Sequence, residues 1–415
     1  MLAALLLLAL LILSRPQRAT ALLLDRVGAA LGLEITATGH NAYRLRGTPM
    51  LELRDLVARE PGATTPLLRA DRVYVAVPWS TLRARGAVLD ATRLELDAPV
   101  LDLPALQHWL ATRPPSAETR LPSLREGLRV RDGVVQGAGW RVDGIAFKTR
   151  SFHPDVPLRA QLRARYVAPP LSMPVDVALA LGRVDALLDG RASGLGIAGR
   201  VAVEHGQDWR LPARVLLSGP VRIEPALAIA PLRAGIAATY ETGETKVPFA
   251  LGALGPLRFG DAGVALAPTT LVLHGRGAAA DASLVPQLQA RGRIAWTQRL
   301  DLQLRGRLAA WPRAWPALPA PLDASTAPLP FALDYAGKPD FADIARLQLA
   351  RDATRFDGRF RLPAVMDWID GFDTGNPLPP LDGTLTTPQL DIAGARLQGV
   401  EISVDDDAIA PTDER

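Results

Sequence analysis

The segment Gly194-Leu-Gly196-Ile-Ala-Gly199 has the glycine spacing G-x-G-x-x-G, which can hold the pyrophosphate of a dinucleotide. That chemistry needs a strand before the glycines and a helix after them, so that amides at the helix start face the phosphates. Here residues 200–206 instead alternate like a strand and end in a turn. We therefore predict a glycine-rich hairpin at this position.

Residues that carry catalysis or bind metals are scarce or unsuitably spaced. The chain has no cysteine, and none of its histidines belongs to an H-x-x-x-H or H-E-x-x-H pair. Ser193 follows Gly-Arg-Ala and precedes Gly, which is not the G-x-S-x-G turn of an activated serine. The acidic run 405–407 is more typical of a solvated terminus than of a calcium site. The sequence therefore predicts no enzyme, no cofactor and no metal site. The histidines are His40, His108, His153, His205 and His274.

The charge pattern argues against nucleic acid as a partner. Lys and Arg number 47 against 43 Asp and Glu, a net charge of +4. A nucleic-acid-binding protein concentrates its basic residues in a patch, whereas Arg here alternates with Asp and Glu along most segments.

The elements that position these residues are expected to be short strands. The 35 glycines and 36 prolines are spread evenly over 415 residues, which interrupts long helices. Strict alternation of apolar and charged residues recurs, and it places all apolar side chains of a strand on one face. The alternating segments are 72–77, 93–98, 158–166, 176–181, 291–296, 300–308, 355–362 and 389–393.

A sheet with one apolar and one charged face is covered on one side only. Arginine at every second position cannot be buried unpaired, so the charged face is expected to meet water. Antiparallel strands joined by short turns produce this pattern, whereas parallel strands need apolar runs and crossover helices. Aromatic residues make up only 5% and form no girdles, which argues against an outer-membrane barrel.

Two short helices are expected among the strands. Residues 103–110 and 362–369 share the pattern L-P-A-[LV]-x-x-W-[LI], and each follows directly on a segment predicted to be an alternating strand. Proline near a helix start is favourable, and the apolar residue and Trp three positions apart make a one-sided helix. Residues 311–315 resemble a degenerate third copy, so we predict an internal repeat of strands plus a short helix.

The amino terminus opens with the apolar run 2–13, followed by Arg15 and Arg18. Such a run rises only about 18 Å as a helix, against roughly 30 Å of hydrocarbon. We favour a membrane anchor over a cleaved signal peptide because no basic residue precedes the run. Apolar residues at helical spacing in 20–33 predict an amphipathic helix next to it. The predicted anchor residues are Leu5, Leu6, Leu7, Leu8, Leu10, Leu11 and Ile12.

Both ends of the chain resemble AsmA-like proteins. The apolar run and amphipathic helix precede the segments 50–56, 66–73 and 91–103, an order similar to the amino-terminal region of that family. Residues 381–404 are similar to the family's closing strands. These patterns of apolar residues, glycine and proline identify an architecture and mark no active site.

The resemblance implies a mainly β fold: an elongated, curved antiparallel sheet that forms a U-shaped groove of repeated strands, with an N-terminal membrane helix and a few short helices. Residues 1–32 would be the inner-membrane anchor and turn-in, 33–404 a periplasmic β-groove of two to three strand repeats, and 405–415 an acidic disordered tail. The implied role is phospholipid transport toward the outer membrane and envelope homeostasis.

The residues themselves also favour an apolar ligand. A sheet that is wet on one face and lacks a helical layer must cover its apolar face with itself or with a ligand. An acyl chain suits this face, because each buried methylene contributes about 0.8 kcal/mol. The alternative for each residue is ordinary core against a second sheet. The expected groove lining is Val73, Val75, Val77, Leu94, Leu96, Leu158, Leu162, Leu179, Leu300, Leu302, Leu304, Phe356, Phe360, Leu390 and Ile392.

A second function from another class remains open. The chain would then be a non-enzymatic scaffold in outer-membrane assembly or type II secretion. The anchor and curved sheet expected here resemble those of inner-membrane subunits of type II secretion machines. An exposed edge strand that offers backbone pairing to a protein partner would favour this role.

Overall fold

Strands make up most of the chain, as the alternation predicts. The computed structural model describes residues 16–83, 90–112, 121–223, 226–260, 263–277, 284–315, 318, 320, 325–338, 340–370, 379–392, 395–406 and 409. The chain divides into two compact units, Met1–Val215 and Leu216–Arg415. Among the described residues, 22 strands belong to one mixed sheet, and two further strands form a separate parallel pair.

The described helices are short apart from the first. They are α1 (Pro16–Leu31), α2 (Trp79–Arg83), α3 (Leu103–Ala111), α4 (Val184–Leu188) and α5 (Leu362–Asp370).

The first unit holds the first thirteen strands. They are β1 (Glu34–Ala37), β2 (Ala42–Arg44), β3 (Met50–Arg59), β4 (Leu68–Ala76), β5 (Asp90–Ala91), β6 (Arg93–Asp97), β7 (Val100–Asp102), β8 (Ser123–Leu124), β9 (Leu128–Gln136), β10 (Arg141–Thr149), β11 (Leu158–Ala168), β12 (Leu171–Leu181) and β13 (Ser193–His205). The boundary between the units falls within β14 (Trp209–Arg222).

The second unit holds the strands from β15 onward, which pair antiparallel. They are β15 (Leu227–Thr242), β16 (Thr245–Gly260), β17 (Gly263–Gly275), β18 (Leu288–Trp296), β19 (Leu300–Leu308), β20 (Leu329–Gly337), β21 (Ala345–Arg351), β22 (Thr354–Phe360), β23 (Leu381–Ile392) and β24 (Ala395–Val404).

Helix α1 ends in a glycine cap that directs the chain into the sheet. Gly32 has a φ of +61°, a conformation that glycine adopts without strain. The Leu33 amide donates to the Gly28 carbonyl at 2.8 Å, and the Gly32 amide to the Ala29 carbonyl at 3.4 Å. This pair of bonds is the Schellman arrangement, and it places Leu33 one residue before β1.

Apolar residues of the first unit form rows that run across the strands. Residues paired directly across two strands share a face of the sheet. One row follows the register Leu53, Val73, Leu96, Val130, Phe147, Leu162 and Val177, from β3 to β12. The apolar alternation of each strand is therefore in phase with that of its neighbours.

The second unit repeats this arrangement by itself. One row follows Ile294, Leu302, Tyr335, Ala345, Phe360 and Leu381, from β18 to β23. Tyr335 and Ala345 are buried in it, while Leu302 and Phe360 are half-buried.

The prediction that all pairing is antiparallel is wrong in the first unit. Strands β6 and β7 both pair with β9 in parallel, and β5 pairs with β8 in parallel. Helix α3 follows β7 and supplies the crossover connection that parallel pairing requires. The L-P-A pattern predicts that α3 is a helix, but it does not show which strands the helix joins. The parallel pairing therefore could not be predicted from it.

The two helices predicted from the shared L-P-A pattern are confirmed as α3 and α5. The third copy at 311–315 is not a helix: it is a turn in which the Trp311 and Trp315 rings meet edge to face at 4.9 Å. The glycine-rich segment 194–199 lies inside the continuous strand β13, which ends before a turn at Gly206.

Candidate apolar binding site

Helix α1 presents one apolar face to the sheet of the first unit. Leu24, Val27 and Leu31 are spaced three and four residues apart and so lie on one side of the helix. Leu24 is only 6% exposed and belongs to a buried cluster with Leu53, Leu56, Ala70 and Val73. Leu24 therefore packs α1 against β3 and β4.

Strands β3, β4 and β6 supply the facing wall. Val73 pairs with Leu53 on one side and with Leu96 on the other, and Val75 pairs in the same way with Leu51 and Leu94. Because alternate residues of a strand share a face, these side chains point to the same side as the buried cluster.

Together α1 and the three strands enclose a cavity of about 630 Å³, which we call the apolar cavity. A volume of a few hundred Å³ is typical of small-molecule sites. The lining side chains are apolar except for the hydroxyl of Tyr43. They are Leu24, Val27, Leu31, Leu33, Ile35, Tyr43, Leu45, Pro49, Met50, Leu51, Leu53, Leu56, Ala58, Leu67, Leu68, Val73, Val75, Val77, Leu82 and Leu96.

The apolar cavity opens to solvent at a rim of large apolar side chains. Val27 is 40% exposed, and Leu45 and Leu82 are each 47% exposed. The indole Nε1 of Trp79 donates to the Gly47 carbonyl at 2.8 Å, which ties α2, the helix of Leu82, to the loop after Leu45. This hydrogen bond joins the two segments that carry the rim residues Leu45 and Leu82, which lie far apart in sequence.

Helix α3 supports the back of α1. The Asp102 carboxylate accepts a hydrogen bond from the Ala105 amide at 2.9 Å, which caps the start of α3. Near the end of the same helix, Trp109 Nε1 donates to the Leu31 carbonyl at 3.1 Å. Helix α3 therefore fixes the position of a cavity-lining residue.

The opposite face of β3, β4 and β6 carries a network of charged side chains. Arg72 lies at its centre, with Nη1 3.0 Å from Glu95 Oε2 and 3.1 Å from Asp97 Oδ2, and Nε 3.2 Å from Glu52 Oε2. Arg54 binds Glu52 at 2.7 Å. Further contacts join Arg93 to Glu95 and Arg131 to Asp97. We call this set the Arg72 network.

The Arg72 network departs from the expectation that the charged face is simply wet. The side chain of Glu95 is 7% exposed and that of Arg72 is 19% exposed. Pairing with several partners is what permits such burial. The charged face of these three strands is therefore stabilised by ion pairs as well as by water.

The pKa values of the network follow from this pairing. Burial raises the pKa of Glu95, but the hydrogen bond from Arg72 and the charges of Arg93 and Arg72 outweigh it and hold that pKa below its usual range. Glu52 shows the same balance, with Arg54 and Arg72 lowering its pKa. For Arg72, burial lowers the pKa, while hydrogen bonds to three carboxylates raise it above its ordinary value. Both carboxylates are therefore ionised at neutral pH.

The structure brings part of the predicted lining together. Val73, Val75, Val77 and Leu96 line the apolar cavity, and Leu94 packs against the buried cluster beside it. Leu162 of β11 and Leu179 of β12 lie on rows that extend from these residues, whereas Leu158 of β11 pairs with Leu181 of β12 and has no partner on β10 in the described register.

The remaining predicted residues belong to the second unit and are not part of this cavity. Leu300, Leu302, Leu304, Phe356 and Phe360 are half-buried on the apolar face of their own sheet strands, and Leu390 is buried. The side chain of Ile392 and the predicted anchor residues 5–12 lie outside the part of the chain that the structure describes.

Sequence reasoning missed most of the cavity wall, because only four of its twenty lining residues belong to the predicted groove lining. Leu33, Leu45, Pro49 and Leu82 line the cavity from loops and from a single helical turn, where no periodic pattern marks them. Leu51 and Leu53 could have been found, because β3 alternates as clearly as the strands that were chosen.

Ser193, considered as a nucleophile, has a structural role. It is buried, and its Oγ accepts a hydrogen bond from the Arg183 amide at 2.6 Å, which joins the start of β13 to the segment before α4.

Within the described residues, no helix has the length and apolar content needed to cross a bilayer. No protein-family model matches the sequence, and no curated protein or solved structure matches the chain.

Proposed function

We propose that this protein binds phospholipid acyl chains in the apolar cavity and takes part in lipid transport, as its resemblance to AsmA-like proteins implies. The observation that carries the proposal is an open cavity of about 630 Å³ whose lining offers a single polar group. The partners would be phospholipids and the inner membrane, with the bulk of the chain in the periplasm and no enzymatic step.

An acyl chain fits this lining better than a polar metabolite does. A polar ligand would lose its hydrogen bonds to water without replacement, at a cost of about 1 to 3 kcal/mol for each buried group. A hydrocarbon chain needs no directed partner and gains about 0.8 kcal/mol for each buried methylene. The row that begins at Leu53 and Val73 continues the apolar surface beyond the cavity as far as Val177.

The test uses the full chain in cells grown with radioactive phosphate. A small aliphatic amino acid that carries a photoreactive diazirine, close to leucine in size, replaces Val75, which faces the cavity, or Tyr74, which faces the Arg72 network on the same strand. Illumination should attach labelled phospholipid to the protein through position 75 and not through position 74. Equal labelling at both positions, or none at either, would contradict the proposal.

Rim variants test whether lipid enters where the cavity opens. Leu45→Asp and Leu82→Asp place a charge on side chains that are already half exposed, so the fold should tolerate them. We expect either change to lower labelling at position 75 severalfold. The matched control is Leu254→Asp in β16 of the second unit, a leucine that is 46% exposed and should leave labelling unchanged.

A scaffold role is the second candidate, and the edge of β24 favours it. Among the described residues, β24 pairs with β23 alone, so one side of its backbone is free to pair with another chain. A photoreactive residue at Leu397, which is exposed on this strand, would then attach a protein of defined mass, while position 75 would capture no lipid.

A further inference from the structure

A second cavity in the first unit is lined by cations. It has a volume of about 350 Å³, and we call it the basic pocket. Five of its lining side chains are basic and one is acidic; the others are apolar or small. The lining residues are Arg93, Leu94, Arg125, Glu126, Gly127, Leu128, Arg129, Lys148, Thr149 and Arg150.

The basic pocket forms where β6, β9 and β10 meet. Gly127 precedes β9 with a φ of +82°, and a Cβ built on it would lie 2.0 Å from the Thr149 carbonyl oxygen. Only glycine permits this approach of the two backbones, which brings the start of β9 against the end of β10.

Two cations oppose each other in the pocket. Arg129 of β9 pairs in register with Lys148 of β10, so their side chains share the charged face of the sheet. Like charges placed directly opposite destabilise a sheet unless an anion neutralises them. The other strand neighbour of Arg129 is Glu95, whose carboxylate is already bound by Arg72 and Arg93.

Most of the positive charge in the pocket has no counterpart. Arg93 contacts Glu95, and Arg125 lies 3.7 Å from Asp90. Among the described residues, Arg129, Lys148 and Arg150 make no ion pair. Glu126 is the single carboxylate in the lining, so the pocket retains a net positive charge.

The basic pocket also touches the apolar surface. Leu94 and Leu128 line it, and they pair with each other across β6 and β9. Leu94 packs against the buried cluster of the apolar cavity as well. A molecule with an anionic head and an apolar tail could therefore contact cations and apolar side chains at one place.

We propose that the basic pocket binds a phosphate group, held by Arg129, Lys148 and Arg150. Guanidinium groups bind phosphate oxygens through paired hydrogen bonds, and an ammonium adds a compact charge. The phosphate could belong to a phospholipid head or be free in solution. In the first case the inference rests on the proposed lipid binding, and the pocket would select lipids with a phosphate head over neutral ones.

The test compares two photoreactive lipids on the full chain in a non-ionic detergent. Phosphatidic acid and diacylglycerol with the same photoreactive acyl chain differ only in the phosphate. We expect phosphatidic acid to label the wild-type protein at about tenfold lower concentration, since charge-assisted hydrogen bonds are worth at least this factor. Arg129→Gln with Lys148→Gln should remove the preference and leave diacylglycerol labelling unchanged.

Two further double variants keep the test falsifiable. Arg129→Lys with Lys148→Arg conserves the charges and should keep the preference. Arg165→Gln with Arg200→Gln removes two exposed arginines of β11 and β13 outside the pocket and should behave as the wild type. A preference that survives the loss of Arg129 and Lys148, or that all three double variants lose alike, would overturn the proposal.

Equilibrium dialysis with inorganic phosphate separates the two sources and the two proposals. Phosphate binding that needs Arg129 and Lys148, without any preference between the lipids, would support a site for free phosphate. If neither lipid labels the chain, the proposed lipid binding is wrong. The dialysis result alone then tests whether the basic pocket binds phosphate. No dependence on these residues for either lipid or phosphate would show that the basic pocket is not a phosphate site.

Discussion

Arg72 of β4 reaches diagonally across to Glu95 of β6 on the side of the sheet away from the apolar cavity, with Nη1 3.0 Å from Oε2. The residues next to Glu95 in sequence, Leu94 and Leu96, pack toward the cavity. The short strand β6 thus carries a buried carboxylate on one face and apolar wall on the other. A change to the Arg72 network that shifts β6 should therefore also move the wall of the apolar cavity.

Acid should destabilise the first unit through Glu95 and Glu52. Both pKa values are lowered in the folded chain from the ordinary value of 4.5. Such groups stabilise the fold above the unfolded pKa, and that contribution is lost as the pH falls through the lower, folded pKa. In urea unfolding, the free energy of unfolding should stay constant near neutral pH and should decline below about pH 4.5.

The matched variants for this prediction are Glu95→Gln and Glu401→Gln. Glu95→Gln should be less stable at neutral pH and should lose less stability on acidification than the wild type does. Glu401 is an exposed carboxylate of β24 outside the network, so its variant should follow the wild-type pH profile. Identical pH profiles for all three proteins would contradict a role for Glu95.

Removing the central cation, Arg72, should lower the free energy of unfolding far more than removing a surface cation. Arg72→Met leaves buried Glu95 without its main partner, and we expect the free energy of unfolding to fall by about 2 to 4 kcal/mol. Arg163 binds Asp176 at 3.1 Å, but these side chains are 73% and 55% exposed. Arg163→Met should cost less than about 1 kcal/mol, since solvent screens such pairs. Equal losses in urea unfolding would show that the Arg72 network is no stronger than a surface pair.

The alternating segments predicted much of the sheet because their signal is local. Each of the eight overlaps a strand, although 355–362 extends past the end of β22 to the first residue of α5 and position 393 lies outside the described residues. Val73 with Leu96 shows why the apolar faces agree: residues chosen separately from two strands pair directly in the fold. The helices α3 and α5 were predictable for a similar reason, since proline and a one-sided apolar pattern act within a single turn.

The cavity and the basic pocket could not be predicted, because they depend on contacts between distant segments. Leu82 reaches the rim because Trp79 bonds to Gly47, more than thirty positions earlier in the chain. Arg129 and Lys148 look like two of many alternating cations until the register of β9 and β10 sets them opposite each other. The parallel pairing of β6 with β9 likewise depends on where the chain returns after α3.

Gly127→Ala should destabilise the junction of β9 and β10. The added Cβ would lie 2.0 Å from the Thr149 carbonyl oxygen, at a φ of +82°. Gly139 has nearly the same φ, +79°, with no atom within 4 Å of the Cβ position. Gly139→Ala should therefore cost about 1 kcal/mol for backbone strain, and Gly127→Ala more than about 2 kcal/mol. Losses of the same size in urea unfolding would mean that the close approach at Gly127 carries no penalty.

Filling the apolar cavity should separate stability from lipid binding. Val75 lines the empty space, so the larger ring of Val75→Phe can enter it, and we expect the free energy of unfolding to change by less than about 1 kcal/mol. Val177, at the far end of the row, is buried. The space beside it is tight, since a Cβ built on the neighbouring Gly199 would lie 2.7 Å from the Cα of Val177. Val177→Phe should therefore cost about 1 to 3 kcal/mol by overpacking.

The same pair of variants then distinguishes the cavity from ordinary core. Val75→Phe should lower labelling by photoreactive diacylglycerol severalfold while the protein stays folded, because the ring takes volume that an acyl chain would occupy. If Val75→Phe proves as destabilising as Val177→Phe, the space beside Val75 is closely packed core. If it is stable and labelling is undiminished, the acyl chain binds elsewhere on the apolar rows.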